Sequence, residues 1–313
     1  MILTIESKAR PCPGVQRAIE MVEETLRREE KLFLVGLLIH NQREVDRLCE
    51  MGLQQIDLAV LDDPKKRDKY TDGRFLIRAH GEPKEVLKRI QNFGFDVLDA
   101  TCPIVRHSQE LIEQHIREGW SIAIVGKKDH PEVIGLLAHA KSSGVVISSL
   151  EEASTVDLDE RTLLLAQTTI DGQFFHDVGR LLSKRLSGLK IIDTTCRFLK
   201  TRQKDIHAFG KTKDVIVLVG GDLSSNCRLL HQTSLAVNPR SYKVGSPDEV
   251  DHKWFNNDDQ VGITGGASTP RWQLEEMKSF LNNHNFDKDP KGLKNRKGGR
   301  FLCWIRKKTN KKT

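Results

Sequence analysis

The sequence repeats one local pattern three times, and this repetition constrains the fold more than any other feature. The segments DATCPIVRHSQ at 99–109 and DTTCRFLKTRQ at 193–203 each follow a short apolar stretch and continue into an amphipathic helical pattern. A weaker copy surrounds Cys12, where apolar residues at helical spacing follow Gly14. The pattern predicts that each of the three cysteines lies where a strand ends and a helix begins.

Two further polar positions recur in the same frame. The first lies 28 residues after each cysteine. It follows a predicted apolar strand that ends in a Val-Gly pair and three further residues, and it is occupied by His40, His130 and Ser224. The second lies 66 to 72 residues after each cysteine, where another apolar stretch stops, and is occupied by His80, Thr168 and Ser268. Helical patterns follow the first set. These agreements in order and spacing predict three related α/β units.

The repeats divide the 313 residues into 1–96, 97–190 and 191–287, followed by a tail at 288–313. Strands that alternate with helices predict mostly parallel sheets covered by helices. Side chains at the carboxyl ends of parallel strands lie at one edge of the sheet, beside helix N-termini that carry partial positive charge. If the three units meet about a pseudo-threefold axis, their polar residues converge on one central pocket.

The positive charge of the chain is confined to its tail. The whole sequence has a net charge of +7, but residues 288–313 alone carry +10, which leaves −3 for residues 1–287. We therefore expect no nucleic-acid partner for the body of the protein. The tail is either solvated or able to dock on an acidic partner. No apolar run is long enough for a membrane span and the N-terminus lacks a secretory signal, so we expect a cytoplasmic protein without membrane contact.

The six cysteines include no CxxC pair, which excludes a zinc finger, a thioredoxin-type motif and a clustered ferredoxin motif. A metal site would have to combine distant segments. Three thiolates at equivalent repeat positions fit either zinc with one open coordination position or an iron–sulfur cluster with one open iron. The remaining cysteines lie outside this frame and are expected to have no site role: Cys49, Cys227 and Cys303.

The histidines and hydroxyls of the repeat frame, with nearby helix N-terminal amides, have the chemistry of an anion site for phosphate or diphosphate. Ser225 adds a hydroxyl beside Ser224. Glu132 follows His130 by two residues, in a predicted first helical turn, and is the best candidate for a general acid in such a pocket. The chain contains neither GxxxxGK[ST] nor GxGxxG, which disfavours nucleotide binding.

Together these motifs resemble the 4-hydroxy-3-methylbut-2-enyl diphosphate reductase family of the LytB type over about residues 9–280. The resemblance rests on motifs that keep the family's order: Cys12, HN at 40–41, AHG at 79–81, DATCP at 99–103, HPE at 130–132, QTT at 167–169, SSN at 224–226 and GAS at 266–268. It implies three α/β domains in a trefoil around a 4Fe–4S cluster. It also implies reductive removal of the allylic hydroxyl, giving isopentenyl and dimethylallyl diphosphate in the non-mevalonate pathway of isoprenoid biosynthesis, with ferredoxin or flavodoxin as electron donor.

The resemblance also implies a role for each matched residue. The cluster ligands would be Cys12, Cys102 and Cys196. The diphosphate would be bound by His40, His80, Ser224, Ser225, Asn226 and Ser268. Glu132 would deliver protons, while Thr168 and His130 would contact the substrate hydroxyl and orient the acid.

The sequence departs from the family pattern at two of the cysteines. Cys12 has prolines on both sides, in RPCPGV, where the family usually has GFCxGV. Bulky and charged residues follow Cys196, in CRFLK, where the family commonly has Cys-x-Ala-Thr. Three alternatives therefore accompany the reductase interpretation: a divergent paralogue with another substrate, a zinc-dependent hydrolase and a redox sensor.

Overall fold

A computed structural model describes residues 1–70, 72–221 and 224–283. The predicted tail at 288–313, including Cys303, and the end of the third repeat lie outside these ranges. The strands of the described chain are β1 (Ile2–Ile5), β2 (Lys31–Val35), β3 (Gln54–Ile56), β4 (Gly73–Ile77), β5 (Asp96–Asp99), β6 (Ser121–Val125), β7 (Gly144–Ile147), β8 (Thr162–Ala166), β9 (Lys190–Ile191), β10 (Val215–Val219), β11 (Ser241–Val244) and β12 (Gln260–Gly265).

Helices alternate with these strands throughout the described chain. They are α1 (Pro13–Arg27), α2 (Gln42–Glu50), α3 (Pro64–Arg67), α4 (Lys84–Asn92), α5 (Pro103–Arg117), α6 (Pro131–Ala140), α7 (Leu150–Thr155), α8 (Gly172–Ser183), α9 (Arg197–Gly210), α10 (Ser225–Leu235) and α11 (Arg271–Asn283). None of the described helices is both long and apolar enough to cross a membrane.

The strands form three four-stranded sheets, with the orders β3-β2-β4-β5, β7-β6-β8-β9 and β11-β10-β12-β1. Every strand pair within the described residues is parallel. The α/β class and the three-unit architecture expected from the sequence are confirmed.

Each sheet includes one strand from the unit that follows it, so that the three sheets are linked in a cycle. The strand that leads to each repeat cysteine belongs to the sheet of the preceding unit: β5 lies beside β4, and β9 lies beside β8. The N-terminal strand β1 completes the cycle by pairing with β12, so that Ile2 lies opposite Gln260 and Ile5 opposite Ile263. Sheet membership thus crosses the proposed repeat boundaries after residues 96 and 190, and the two ends of the body are joined in one sheet.

Each central strand is buried on both faces, as expected for a parallel sheet covered by helices. In β2, Leu32 and Leu34 face a core formed with α1 and α2, whereas Phe33 faces a second core with Phe75 and Phe95. This alternation follows from the two-residue period of a strand. Burial on both faces holds the strand ends rigidly, which suits them to position functional side chains.

A buried ion pair reinforces the cyclic closure. Arg202 on α9, only 2% exposed, donates to both carboxylate oxygens of Glu6 at 2.7 and 2.8 Å. Glu6 directly follows β1, and Thr264 of β12 contacts both partners. Because a buried charge that loses its partner is strongly destabilising, this network ties the N-terminal segment to the third unit.

Candidate active site

The three repeat cysteines occupy equivalent positions in the fold. Cys12, Cys102 and Cys196 are the N-cap residues of α1, α5 and α9, as the sequence predicts. Their backbone N–H groups donate to the carbonyl oxygens of Ala267, Ala79 and Thr168, respectively, at 2.8 to 2.9 Å. In each case the acceptor lies just beyond a strand end of the preceding unit. Three strand ends therefore fix three helix starts, and the helix dipoles favour negative charge there. We refer to these residues below as the N-cap cysteines.

The N-cap cysteines lie close enough to influence one another electrostatically. The pKa of the Cys12 thiol is raised to about 11, mainly by burial; the backbone N–H of Val15 opposes this, and the charges of Cys102 and Cys196 add to it. Burial also raises the pKa of Cys102, partly offset by backbone N–H groups of its helix. Free thiolates are therefore unfavourable here, and three of them require a positively charged group to bind them.

Gly14 brings α1 against the second N-cap cysteine. A Cβ atom placed on Gly14 would lie 2.8 Å from the Cys102 sulfur, closer than carbon and sulfur can approach without movement. The absent side chain therefore makes room for the thiol of a different unit. This contact gives Gly14 a role that spacing alone did not reveal.

The unusual residues after Cys196 have a local structural explanation. Lys200 donates to Asp193 at 2.7 Å, while the Asp193 carboxylate also accepts the backbone N–H of Thr195. In the second unit, Arg106 contacts Asp99 in the same way at 2.6 Å. Both cations lie one helical turn after their cysteine, so the two DxTC turns are braced identically. Of the two bulky apolar residues of this segment, Phe198 is half-buried and Leu199 is buried.

Three histidines from two units form a compact cluster. The ring centroids of His40 and His80 are 4.3 Å apart, those of His40 and His130 are 5.1 Å apart, and those of His80 and His130 are 5.7 Å apart. Burial is the main cause that lowers the pKa of each ring, to about 4 for His130 and well below the usual value for His80. Near neutral pH these rings are therefore uncharged.

Several ring nitrogens in this histidine cluster lack a partner. Both nitrogens of His40, Nδ1 of His80 and Nε2 of His130 are buried and form no hydrogen bond with any residue that the structure describes. His130 Nδ1 accepts the backbone N–H of Glu132 at 3.2 Å, which leaves Nε2 as the donor of the neutral ring. Unpaired buried polar atoms are costly, so their convergence indicates a polar ligand.

The Glu132 carboxyl group is held beside this cluster by Thr168. The backbone N–H of Thr168 donates to Oε1 at 2.6 Å, and its hydroxyl donates to Oε2 at 2.8 Å. Burial raises the pKa of Glu132 to about 7, although these two hydrogen bonds act in the opposite direction. Glu132 is 1% exposed, and its charge contributes to the raised pKa of Cys102. It can therefore hold or release a proton near neutral pH, close to the N-cap cysteines.

The third unit supplies hydroxyl and amide groups to the site. Ser224 is the N-cap of α10 and accepts the backbone N–H of Cys227 at 3.3 Å. Asn226 Oδ1 accepts the backbone N–H of Ala267 at 2.8 Å. The Ser268 hydroxyl contacts the carbonyl oxygen of His40 at 3.4 Å. The structure thus links the third unit to the histidine cluster.

Two nearby residues were missed at the sequence level. Arg228 on α10 donates to the Ser225 hydroxyl at 3.4 Å, and its charge contributes to the lowered pKa values of His40 and His130. A cation in the first turn of a helix is normally unfavourable, and this conflict was a usable signal. Cys227, which was assigned no role, lies against Asn226, with 3.6 Å between Sγ and Oδ1.

The donor chemistry of the N-cap cysteines fits an iron–sulfur cluster, because three soft thiolates arise from helix N-termini in one partly buried place. Within the described ranges, no three His, Cys, Asp or Glu side chains are grouped so as to hold a single metal ion. Fold and site together define a class: a three-unit α/β protein with three convergent cysteines and a cluster of buried, uncharged histidines.

Comparison with known proteins identifies the family. Residues 3–282 match the family model described as LytB protein, and the chain belongs to this family. It is 34% identical over 284 residues to the 4-hydroxy-3-methylbut-2-enyl diphosphate reductase of Aquifex aeolicus, covering 89% of this chain and 95% of that protein. The enzyme of the same name from Helicobacter pylori (strain Shi470) is 34% identical over 270 residues, covering 86% of this chain and 95% of the relative.

Solved structures agree in fold. One, described as (E)-4-hydroxy-3-methyl-but-2-enyl diphosphate reductase, the terminal enzyme of the non-mevalonate pathway, is 33% identical, with a TM-score of 0.68 and coverage of 91% of this chain and 100% of the other. The E-1-hydroxy-2-methyl-but-2-enyl-4-diphosphate reductase from Plasmodium falciparum has a TM-score of 0.79 at 23% identity, covering 91% and 89% of the two chains, and supports the fold alone. The three-unit trefoil expected from the sequence is consistent with both.

Proposed function

We propose that this protein is a 4-hydroxy-3-methylbut-2-enyl diphosphate reductase that carries a 4Fe–4S cluster on Cys12, Cys102 and Cys196. The observation that carries the proposal is the meeting, in one place, of unpartnered histidine nitrogens with a buried carboxyl group whose pKa is about 7. The histidine nitrogens can bind the diphosphate, and the carboxyl group can deliver protons. The two relatives reported above, both of which are named 4-hydroxy-3-methylbut-2-enyl diphosphate reductase, support the same activity.

The diphosphate end of the substrate is bound by neutral donors rather than by a cluster of cations. His40 and His80 supply ring nitrogens that have no hydrogen-bond partner among the described residues. The third unit adds the polar groups of Ser224, Ser225, Asn226 and Ser268. Oriented donors in a buried site bind an anion strongly because they need little reorganisation.

Glu132 supplies protons to the other end of the substrate. The Thr168 amide and hydroxyl fix the carboxyl group, and the backbone N–H of Glu132 fixes the His130 ring. In the reaction the allylic C–O bond breaks and its oxygen leaves as water after taking one proton. Two electrons and a second proton complete the reduction. The bound cluster would supply those electrons and a Lewis-acidic iron for the hydroxyl oxygen.

The electrons come from a small acidic redox protein such as ferredoxin or flavodoxin, and the enzyme works in the cytoplasm. Free cysteines support a reducing compartment, because the five described cysteines form no disulfide among themselves.

An anaerobic preparation tests the proposal. Iron and zinc analysis, visible absorbance and product detection are measured with the allylic diphosphate and a small chemical reductant. We expect a brown iron-containing protein that forms isopentenyl and dimethylallyl diphosphate. A colourless zinc protein would support the hydrolase, iron without turnover of any allylic diphosphate would support the sensor, and turnover of a different allylic diphosphate would support the paralogue.

A further inference from the structure

The thiol of Cys227 occupies a notch between two strand ends of the third unit. Cys227 lies on α10, three residues after the cap Ser224, and is 0% exposed. A Cβ atom placed on Gly220, just after β10, would lie 2.4 Å from its sulfur. A Cβ atom on Gly266, just after β12, would lie 2.1 Å from it. The sulfur therefore occupies space that two missing side chains leave open.

In the second unit, the position equivalent to Cys227 is occupied by a residue that serves only for packing. There Val133 lies three residues after the cap His130 and is also 0% exposed. Its Cγ2 lies 2.8 Å from the place of a Cβ on Gly126, the counterpart of Gly220. Gln167 stands where the third unit has Gly266. An apolar side chain thus satisfies the packing requirement, and the polar sulfur in the third unit calls for a different explanation.

The sulfur contacts Asn226, one of the residues assigned above to the diphosphate. Its S–H group lies 3.6 Å from Asn226 Oδ1, which also accepts the backbone N–H of Ala267 at 2.8 Å. Two donors on Oδ1 fix the amide orientation and leave Nδ2 as the donating end. The Ser224 hydroxyl oxygen accepts the backbone N–H of Cys227 at 3.3 Å. Burial raises the pKa of Cys227, so the thiol keeps its proton near neutral pH.

We propose that Cys227 is a positioning residue for the diphosphate site: its buried thiol holds the Asn226 side chain in the orientation whose Nδ2 donates to phosphate oxygens. The proposal rests on the proposed function and deepens it. Cys227 does not touch the substrate, and it takes no part in proton or electron transfer. Its effect falls on ground-state binding of the diphosphate, and so on KM rather than on kcat.

The test is binding of inorganic diphosphate to the full-length, cluster-loaded protein by calorimetry, together with KM and kcat for the allylic substrate. Cys227→Ala removes the sulfur, Cys227→Ser keeps a small donor and acceptor, and Cys227→Val provides the apolar packing found at Val133. Cys49→Ala, which removes a half-buried thiol on α2, is the matched control. Iron content and melting temperature are measured for each variant.

We expect Cys227→Ala and Cys227→Val to raise the Kd for diphosphate and the KM by about fivefold, the equivalent of one lost hydrogen bond, with kcat within about twofold. Cys227→Ser and Cys49→Ala should stay near wild type. Recovery of affinity in Cys227→Val, or equal affinities of the Ser and Val variants, would show a packing role and overturn the inference; the same comparison decides if the Ala variant does not fold. Failure of the wild type itself to bind diphosphate would instead overturn the proposed function and this inference with it.

Discussion

Replacing Glu132 by glutamine removes the acidic proton but keeps a side chain of the same shape and hydrogen-bonding capacity. Glutamine can still accept the Thr168 backbone N–H and donate to the Thr168 hydroxyl, so the geometry around α6 should persist. What is lost is a proton on a group whose pKa is about 7. We expect normal iron content and substrate binding, with turnover lower by at least about a hundredfold, the usual contribution of a positioned acid.

The pH profile makes this prediction sharper. With a pKa of about 7, the wild-type acid is half protonated at that pH, and its protonated fraction falls roughly tenfold for each further pH unit. Wild-type kcat should therefore decline above neutral pH, and the residual activity of Glu132→Gln should not. The assay is anaerobic turnover with a small chemical reductant, and Glu113→Gln, a partly buried glutamate on α5, is the control. Near-normal turnover, or a decline that persists in Glu132→Gln, would refute the reasoning.

The raised pKa of Glu132 also affects stability. The ordinary value is 4.5, so between that pH and about 7 the unfolded chain loses a proton that the folded protein keeps. The stabilisation is present below pH 4.5 and is lost as pH rises through about 7, by roughly 3 kcal/mol. The difference in free energy of unfolding between wild type and Glu132→Gln should change by that order between pH 4.5 and pH 8 in denaturant titrations. A difference that is independent of pH would show that folding does not raise the pKa of this carboxyl group.

Three further predictions concern the N-cap cysteines, the neighbouring Gly14 and the histidine cluster. Serine at any one of the N-cap cysteines should remove most of the iron and abolish turnover, whereas Cys49→Ser should do neither; full iron content in Cys102→Ser would contradict this. Gly14→Ala should lower iron content, because the new Cβ would meet the Cys102 sulfur, and unchanged iron would show that α1 can shift. His80→Phe keeps the ring but removes its N–H donor, so the diphosphate Kd should rise about tenfold in calorimetry; the exposed His176→Phe serves as control.

The sequence was sufficient to predict the strand ends. The Val-Gly pairs predicted strands that stop at Val35, Val125 and Val219, where β2, β6 and β10 do end. Each N-cap cysteine was likewise expected between a strand and a helix, because Pro or a polar turn follows a short apolar stretch there. These features are encoded within a few neighbouring residues, which is why periodicity and turn chemistry reveal them.

The sequence was not sufficient for contacts between distant segments. The pairing of β1 with β12 joins residues about 260 positions apart, and no local pattern encodes it. CRFLK looked unsuited to its place in the sequence, because the bracing of Asp193 by Lys200 is visible only in the folded chain. The equivalent pair in the second unit shows that this bracing is a shared feature. Cys227 escaped notice because its role depends on two glycines that come close only in the folded chain.

The threefold frame explains why the thiols and the anion-binding groups belong to one site. Each N-cap cysteine donates its backbone N–H to a strand end, and in the first and third units the residue after that acceptor is His80 or Ser268. The second unit differs at the acceptor itself, because Thr168 stands there in place of Ala79 and Ala267, and its side chain holds Glu132. The second unit therefore adds an acid to the neutral donors that the three units present. A substrate with a charged end and a reacting end needs such a difference, since a fully symmetric ring of donors could not distinguish its two ends.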